Sequence, residues 1–314
     1  MTAARTDPAS RLDRAWEIVA AALPATPLVA SPALGDGLWL KLETCQPTGS
    51  FKVRGALAAL SAAGTSRSVV TASTGNHALG VAWAAHRLGI PATVVVPGSA
   101  SPVKLAALQR FPATVVVHGD SYEQAEQHAR SLASNGLRYL SASSDPDLIA
   151  GQATVGIELL TQLPGTLTVA CGVGGGGLAA GLGLAASRTG RMTIIGVEAA
   201  ASPAMSTALR AGQVTPVTVG DTLADGLAGN LEPGSITVNL IRRLVRSLVS
   251  VTEEEIANGI RYLAREHGLI AEGAGAVPVA AVLAGKIPVS GQTVTVLTGR
   301  NIAEQTLAHV LLKA

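Results

Sequence analysis

The residue with the sharpest chemical promise is Lys52, in the stretch ETCQPTGSFKVRG over residues 43–55. It is one of five lysines in 314 residues. A Thr-Gly-Ser turn running straight into a helical pattern puts Lys52 in a first helical turn, near the positive end of the helix dipole. The charged form is disfavoured there, and a neutral amine can attack a carbonyl carbon. An ordinary surface lysine is the competing reading of the same spacing.

Three other stretches offer complementary groups. In ASTGNHA, residues 72–78, small residues precede Asn76 and His77 at the mouth of a helix. Backbone N–H groups of residues 73–76 would converge there on an anion such as a carboxylate. Ser73 or Thr74 acting as a plain helix cap uses the same geometry, and His77 fits packing or capping as well as catalysis. In GVGGGGLAAG, residues 172–181, four consecutive glycines open a helix. Several N–H groups can reach phosphate oxygens together only where no Cβ intervenes. No Gly-Lys-Ser/Thr follows, so this is not a Walker loop, and its mid-chain place does not suit a dinucleotide fingerprint. A flexible loop without ligand is the alternative. In LTGRN, residues 297–301, Thr298 offers a hydroxyl at a strand end, or a local turn or cap. Taken together, the four stretches ask for a ligand with a phosphate, a carbonyl carbon for Lys52 and a ring heteroatom for a hydroxyl. Pyridoxal phosphate has all three.

The elements that must position these groups are short β-branched runs alternating with alanine-rich helical patterns. Strands are predicted at 38–42, 68–71, 92–96, 114–117, 138–140, 167–171, 193–197 and 293–297. Helices are predicted at 53–63, 77–88, 103–110, 122–134, 178–188, 235–247, 253–267 and 302–312. Near-continuous apolar strands between helices imply parallel sheets covered on both faces. In such sheets ligands bind beyond the carboxyl ends of the strands, where all four stretches lie. At roughly 150 residues per domain the chain makes two doubly wound α/β units. With no linker of biased composition, the chain is expected to cross between them more than once.

Composition excludes several classes. Lys plus Arg is 23 and Asp plus Glu 21, a net charge of 23 − 21 = +2, which leaves no concentrated basic surface for nucleic acid or anionic membrane. Charged residues are 14% and apolar ones 48%, the mark of a well-buried globular chain and not of disorder. Two cysteines, Cys45 and Cys171, cannot form a disulfide framework or a structural zinc site, and read as reduced thiols of a cytoplasmic protein. The longest uncharged stretch, between Glu158 and Arg188, holds Gln162, Pro164 and the glycine run, so it is no membrane span. Asp7, Asp13 and Glu17 interrupt the N-terminal arginines Arg5, Arg11 and Arg14 and any apolar core of a signal peptide.

QPTGSFKVRG, ASTGNHALG, VGGGGLAAG, VEAAASP, LADGLAG, EGAGAV and LTGRN follow one another in an order that resembles fold-type II pyridoxal-phosphate enzymes, specifically the threonine/serine dehydratase (ammonia-lyase) family. The resemblance spans about residues 38–302. It implies a tryptophan synthase β-like fold, with a large cofactor domain from residues 1–58 and 147–314 and a small substrate-side domain from 59–146. It implies that Lys52 joins pyridoxal 5′-phosphate as a Schiff base and then serves as the base at the substrate Cα. Phe51 would pack on the cofactor ring and Asn76 would bond its 3′-oxygen. Gly174, Gly175, Gly176 and Gly177 would hold its phosphate. Thr298, where the family usually has Ser, would bond the pyridine nitrogen. Ser73, Thr74, Gly75 and His77 would receive the substrate carboxylate. A neutral hydroxyl at the ring nitrogen favours quick β-elimination over long-lived carbanion chemistry.

The likeness is greatest to short catabolic dehydratases. The chain ends about a dozen residues after LTGRN, so no regulatory amino-acid-binding module is expected. Two positions depart from relatives of this fold. Where those with a divalent cation carry a Glu and, six residues later, an Asp, this chain has Glu198 and Ala204, so no metal is expected. Where racemases have a Ser acid, it has Thr74, whose methyl adds bulk and disfavours racemisation. The expectation is a cytoplasmic homodimer that turns a small 3-hydroxy amino acid, threonine or serine foremost, into a 2-oxo acid and ammonia. Dehydration of hydroxyaspartate, phenylserine or a hydroxyectoine-derived amino acid is one alternative. β-Replacement, as in cysteine synthases, is another, though their lysine motif is typically NPxxSxKxR. A nucleotide-binding or regulatory module on the same sheets is a third.

Overall fold

Ten strands form among the described residues, most of them on the β-branched runs: β1 (Leu28–Ala30), β2 (Leu38–Leu42), β3 (Val69–Ala72), β4 (Ala92–Val96), β5 (Thr114–Val117), β6 (Arg138–Tyr139), β7 (Leu167–Gly172), β8 (Met192–Ala199), β9 (Ser247–Val251) and β10 (Gln292–Leu297). The helices are α1 (Pro8–Ala22), α2 (Lys52–Ala63), α3 (Asn76–Leu88), α4 (Pro102–Leu108), α5 (Tyr122–Ser134), α6 (Pro146–Gln162), α7 (Gly177–Thr189), α8 (Ala204–Ala211), α9 (Thr237–Leu244), α10 (Glu253–His267), α11 (Gly273–Leu283) and α12 (Glu304–Leu312). This computed structural model describes residues 7–63, 68–100, 102–134 and 136–313; Arg5 lies outside them.

The strands make two sheets. One has the order β1-β2-β10-β7-β8-β9 and is parallel except for the β1–β2 pair. The other, β5-β4-β3-β6, is parallel throughout. Both are the covered parallel sheets expected of the strand–helix alternation.

The chain packs as two compact units. The first contains the chain up to Pro24 together with Phe51–Thr154, and the second Ala25–Ser50 together with Val155–Ala314. The division falls at 24/25, 50/51 and 154/155, where the sequence suggested 58/59 and 146/147. Helix α1 and the Lys52-bearing helix α2 therefore belong with the four-stranded sheet. The reason lies in their contacts: Ala15, Val19 and Leu23 pack with Val53, Leu57 and Leu60, with Val69 of β3, and with Val81 and Ala84 of α3. Helix α5 buries Ala125 and Ala129 against Val70, Ala72 and Val95 on the other face of that sheet.

In the second unit, α11 is buried on all sides, against β10, β7 and β8 and along α10. Its Val277, Val279 and Ala280 share a core with Leu38, Leu40, Val197, Ile260 and Leu297. Helix α10 starts with a capping box, in which Thr252 Oγ1 accepts from the Glu255 N–H and the Glu255 carboxylate accepts from the Thr252 N–H. The segment 235–247, predicted as one helix, divides into α9 and the start of β9. After Leu244 the polypeptide turns extended at Val245, and β9 adds to the sheet beside β8.

Candidate active site

In the first unit the chemistry-bearing residues gather at the strand ends facing the helix starts. Lys52 is the first residue of α2, and its Nζ donates to the Ala142 carbonyl at 2.9 Å. Nζ also lies 5.3 Å from the centroid of the Phe51 ring, a cation–π contact. Helix α3 runs close by. A Cβ on Gly80 would stand 3.0 Å from the Lys52 carbonyl carbon, so this glycine permits the approach that fixes the start of α2. Asn76 is the first residue of α3, behind Gly75. Ser73 Oγ accepts from the Gly75 N–H at 3.1 Å and so shapes the turn. The start of a helix is where an anion can meet backbone N–H groups.

His77 is 3% exposed. Its Nε2 lies 3.2 Å from the Leu140 carbonyl, which can only accept, so the ring proton sits on Nε2. Nδ1 is then a bare acceptor, buried without a hydrogen-bond partner. Burial, and after it the Lys52 charge, push the His77 pKa down to about 3, against the opposing pull of the Leu140 carbonyl. The imidazole is therefore neutral at physiological pH. What His77 can offer a carboxylate is its backbone N–H.

In the second unit β7 runs into the glycine loop. A Cβ on Gly174 would stand 2.9 Å from the Leu227 backbone. Gly176 has φ +83° and would drive a Cβ to 2.7 Å from Ile241 Cδ1 and Met205 Cε. No other residue type suits either place. Gly176 and Gly177 form the cap and first residue of α7, a helix N-terminus without a side chain in front of it. At the end of β10, Thr298 is 4% exposed and donates to the Ala274 carbonyl over a long 3.3 Å. Ser50 bridges to Gly299, and its Oγ is buried without a partner. The loop before α2 is tied to the same strand end. Asn301 donates to the Thr48 carbonyl at 2.8 Å, and the Arg300 guanidinium to that of Thr44.

Glu198 lies at the end of β8, 2% exposed. Its carboxylate accepts from the N–H groups of Met205 and Ser206 and so caps α8. Burial raises its pKa, against the pull of those bonds. Among the described residues no group of three His, Cys, Asp or Glu stands where it could hold a metal ion. Cys171 is buried beneath the glycine loop, and burial pushes its thiol up to about 12. Sequence reasoning did not find the Ala142 carbonyl under Lys52 or the Leu227 backbone against Gly174, because backbone groups carry no residue signature.

A parallel-sheet unit with a lysine at a strand-to-helix turn, and another with a Cβ-intolerant glycine loop, define a cofactor enzyme. The match to the family model described as pyridoxal-phosphate dependent enzyme covers residues 19–299, and the chain belongs to that family. Its cofactor is pyridoxal 5′-phosphate, which the residues present fit: a loop at the start of α7 in which Gly174 and Gly176 tolerate no Cβ, a buried Ser50 hydroxyl without a hydrogen-bond partner and a lysine amine.

Particular relatives narrow the likeness. The L-threonine ammonia-lyase of Geobacter sulfurreducens is 42% identical over 287 residues, 90% of this chain and 71% of that one. The processed form of threonine deaminase isoform 2 from Solanum lycopersicum superposes with a TM-score of 0.88 at 32% identity, covering 96% of this chain and 87% of that one. Maize serine racemase does so at 0.88 and 28%, covering 96% of each chain. No described helix is long and apolar enough to cross a membrane.

Proposed function

We propose that this chain is an L-threonine ammonia-lyase, converting L-threonine to 2-oxobutanoate and ammonia, with L-serine to pyruvate as a second substrate. The observation that carries the reading is the set of Lys52 turn, Asn76 turn, glycine loop and Thr298 in a chain 42% identical to an L-threonine ammonia-lyase over 90% of its length. Bound pyridoxal phosphate supplies an electron sink for negative charge at the substrate Cα. Every other task falls to side chains and backbone of this chain.

Lys52 holds the cofactor through Nζ. Released from it, the amine takes the proton from the substrate Cα, and the nearby Ala142 carbonyl gives that amine a resting partner. Gly174 to Gly177 would hold the phosphate by N–H groups at the α7 terminus, Asn76 would bond the 3′-oxygen and Phe51 would pack on the ring. Thr298 serves the pyridine nitrogen; to donate there it gives up only the long bond to Ala274. Ser73, Thr74, Gly75 and the backbone of His77 orient the substrate carboxylate. The neutral His77 ring adds no competing positive charge beside Lys52. Loss of the β-hydroxyl together with one proton, equivalent to that taken from Cα, releases one water, and hydrolysis of the resulting enamine-derived imine takes one back, so threonine yields 2-oxobutanoate plus ammonia in balance. The family resemblance also supports a homodimer in the cytoplasm.

The test is turnover of the cofactor-loaded enzyme on a panel of L- and D-amino acids. 2-Oxobutanoate and ammonia should appear from L-threonine in equal amounts. Loaded enzyme that forms no 2-oxo acid from any 3-hydroxy amino acid, yet makes cysteine from an activated serine and sulfide, would refute the reading. Conversion of L-serine to D-serine without pyruvate would favour racemisation instead.

A further inference from the structure

We propose that Thr237 is a positioning residue for the cofactor phosphate, acting through the glycine loop, with Ser235 as the group that sets its proton; the inference rests on the glycine loop being the phosphate site. Thr237 is fully buried at the start of α9, outside the motifs noted above. Its Oγ1 donates to the Gly175 carbonyl at 2.8 Å. Ser235 Oγ lies 2.8 Å from the same Oγ1. The Gly175 carbonyl can only accept, so the single Thr237 proton is committed to it, and Ser235 must donate to Thr237. The direction of both hydrogen bonds is thereby fixed.

The consequence passes through one peptide plane. In a trans peptide the carbonyl and the following N–H point in opposite directions. Holding the Gly175 carbonyl toward Thr237 turns the Gly176 N–H the other way, off the packed side of the loop. Gly176 is the cap of α7, so this N–H belongs to the set that can meet an anion at the helix start. Thr237 also bounds the loop sterically: a Cβ on Gly176 would stand 3.1 Å from Thr237 Cβ. Four glycines in a row have many backbone states available, and a flipped 175–176 peptide would aim a carbonyl where the cradle needs an N–H. The hydroxyl of Thr237 selects against that flip.

The experiment compares two ligands that differ by the phosphate. The full chain, freed of cofactor with hydroxylamine, is titrated with pyridoxal 5′-phosphate and with pyridoxal, and the phosphorus resonance of the loaded protein is recorded. Thr237→Val keeps the shape and removes the hydroxyl. It should weaken pyridoxal 5′-phosphate about tenfold, the effect of one buried hydrogen bond, leave pyridoxal within about twofold, and move the phosphorus resonance. Thr237→Ser should restore binding and resonance. Ser235→Ala, which leaves Thr237 in place, should weaken pyridoxal 5′-phosphate about threefold and pyridoxal not at all. Equal weakening of both ligands would mark a general structural role and overturn the proposal. So would wild-type affinity in Thr237→Val, or, should that variant not fold, wild-type affinity in Ser235→Ala. These titrations need no turnover. A protein that binds the cofactor but forms no 2-oxobutanoate defeats the lyase reading alone, and one that binds none defeats both.

Discussion

Lys41 and Lys52 are eleven residues apart and live in opposite circumstances. Lys41, on β2, is wholly buried and donates to the Glu158 carboxylate at 2.6 Å, to Gln162 Oε1 at 2.8 Å and to the Thr26 carbonyl at 2.9 Å. The same Glu158 oxygen accepts from the Thr26 N–H, and Thr26 Oγ1 donates to Glu43. Three ammonium protons thus meet three fixed acceptors, one of them charged. Lys52 is half-buried, and its amine rests on a backbone carbonyl and near the face of Phe51. A carboxylate in a buried network holds an ammonium by charge, whereas a carbonyl and a ring hold it by weaker dipolar forces. One lysine is a strut. The other stands at the helix start, where it is proposed to hold the cofactor.

The largest effect that would break this contrast is on turnover. Lys52→Ala should lower 2-oxobutanoate formation by roughly 10³-fold or more, because it removes cofactor attachment and base together. Borohydride reduction of the wild type followed by peptide mapping should place the cofactor on Lys52. Label on Lys41 instead would reverse the two assignments.

Stability should answer the other way. Lys41→Met leaves the Glu158 charge buried without its partner, at a cost of about 3–5 kcal/mol in denaturant unfolding. The double variant Lys41→Met with Glu158→Leu should regain much of that loss. If Lys52→Ala proves the more destabilising of the two single changes, the division into strut and reactive amine fails.

The smallest effect concerns His77, which shares its surroundings with Lys52. The unfolded chain protonates this histidine near 6.5, while the native one resists until about 3. Between those values the unfolded state binds more protons, so stability is full above about pH 6.5 and falls with acid. The slope from this one group reaches about 1.4 kcal/mol per pH unit. His77→Gln should lose that share of the slope in denaturation series at several pH values. Lys52→Ala should narrow the window, since the Lys52 charge is part of the cause. Identical slopes in wild type and His77→Gln would mean that His77 takes up its proton as readily in the native protein as in the unfolded chain.

These contrasts also mark what could be read in advance. Lys52, Asn76, the glycines and Thr298 were visible because turns demand particular residue types, and those types stood directly before helical patterns. Strands such as β4 and β10 were visible as unbroken β-branched runs. Helix α11 was not predicted: GAGAVPVAAVL is apolar all round, so a helix buried on every side leaves no 3.6-residue alternation to detect. Strand β9 was not predicted, and its first residue, Ser247, was read as the end of a helix, because SLVSV follows the amphipathic α9 with no Gly or Pro between them. The compact units group α1 and residues 51–58 with the four-stranded sheet, a grouping set by which apolar faces meet, and periodicity shows a face without its partner.

The place of β10 has a consequence for how the protein is made. This strand lies between β2 and β7, with β2 contributed early by the chain and β7 far downstream. Until the ribosome has released β10, the β1–β2 hairpin and the β7–β8–β9 ribbon cannot join, and each presents an unpaired edge where the sheet will later be continuous. Such edges are templates for pairing with other chains. The long sequence separation also makes closure of the sheet slow relative to local helix formation. Assembly of the six-stranded sheet therefore waits for β10, and chains made only as far as β9 are the stage at which this protein most needs protection from its own copies.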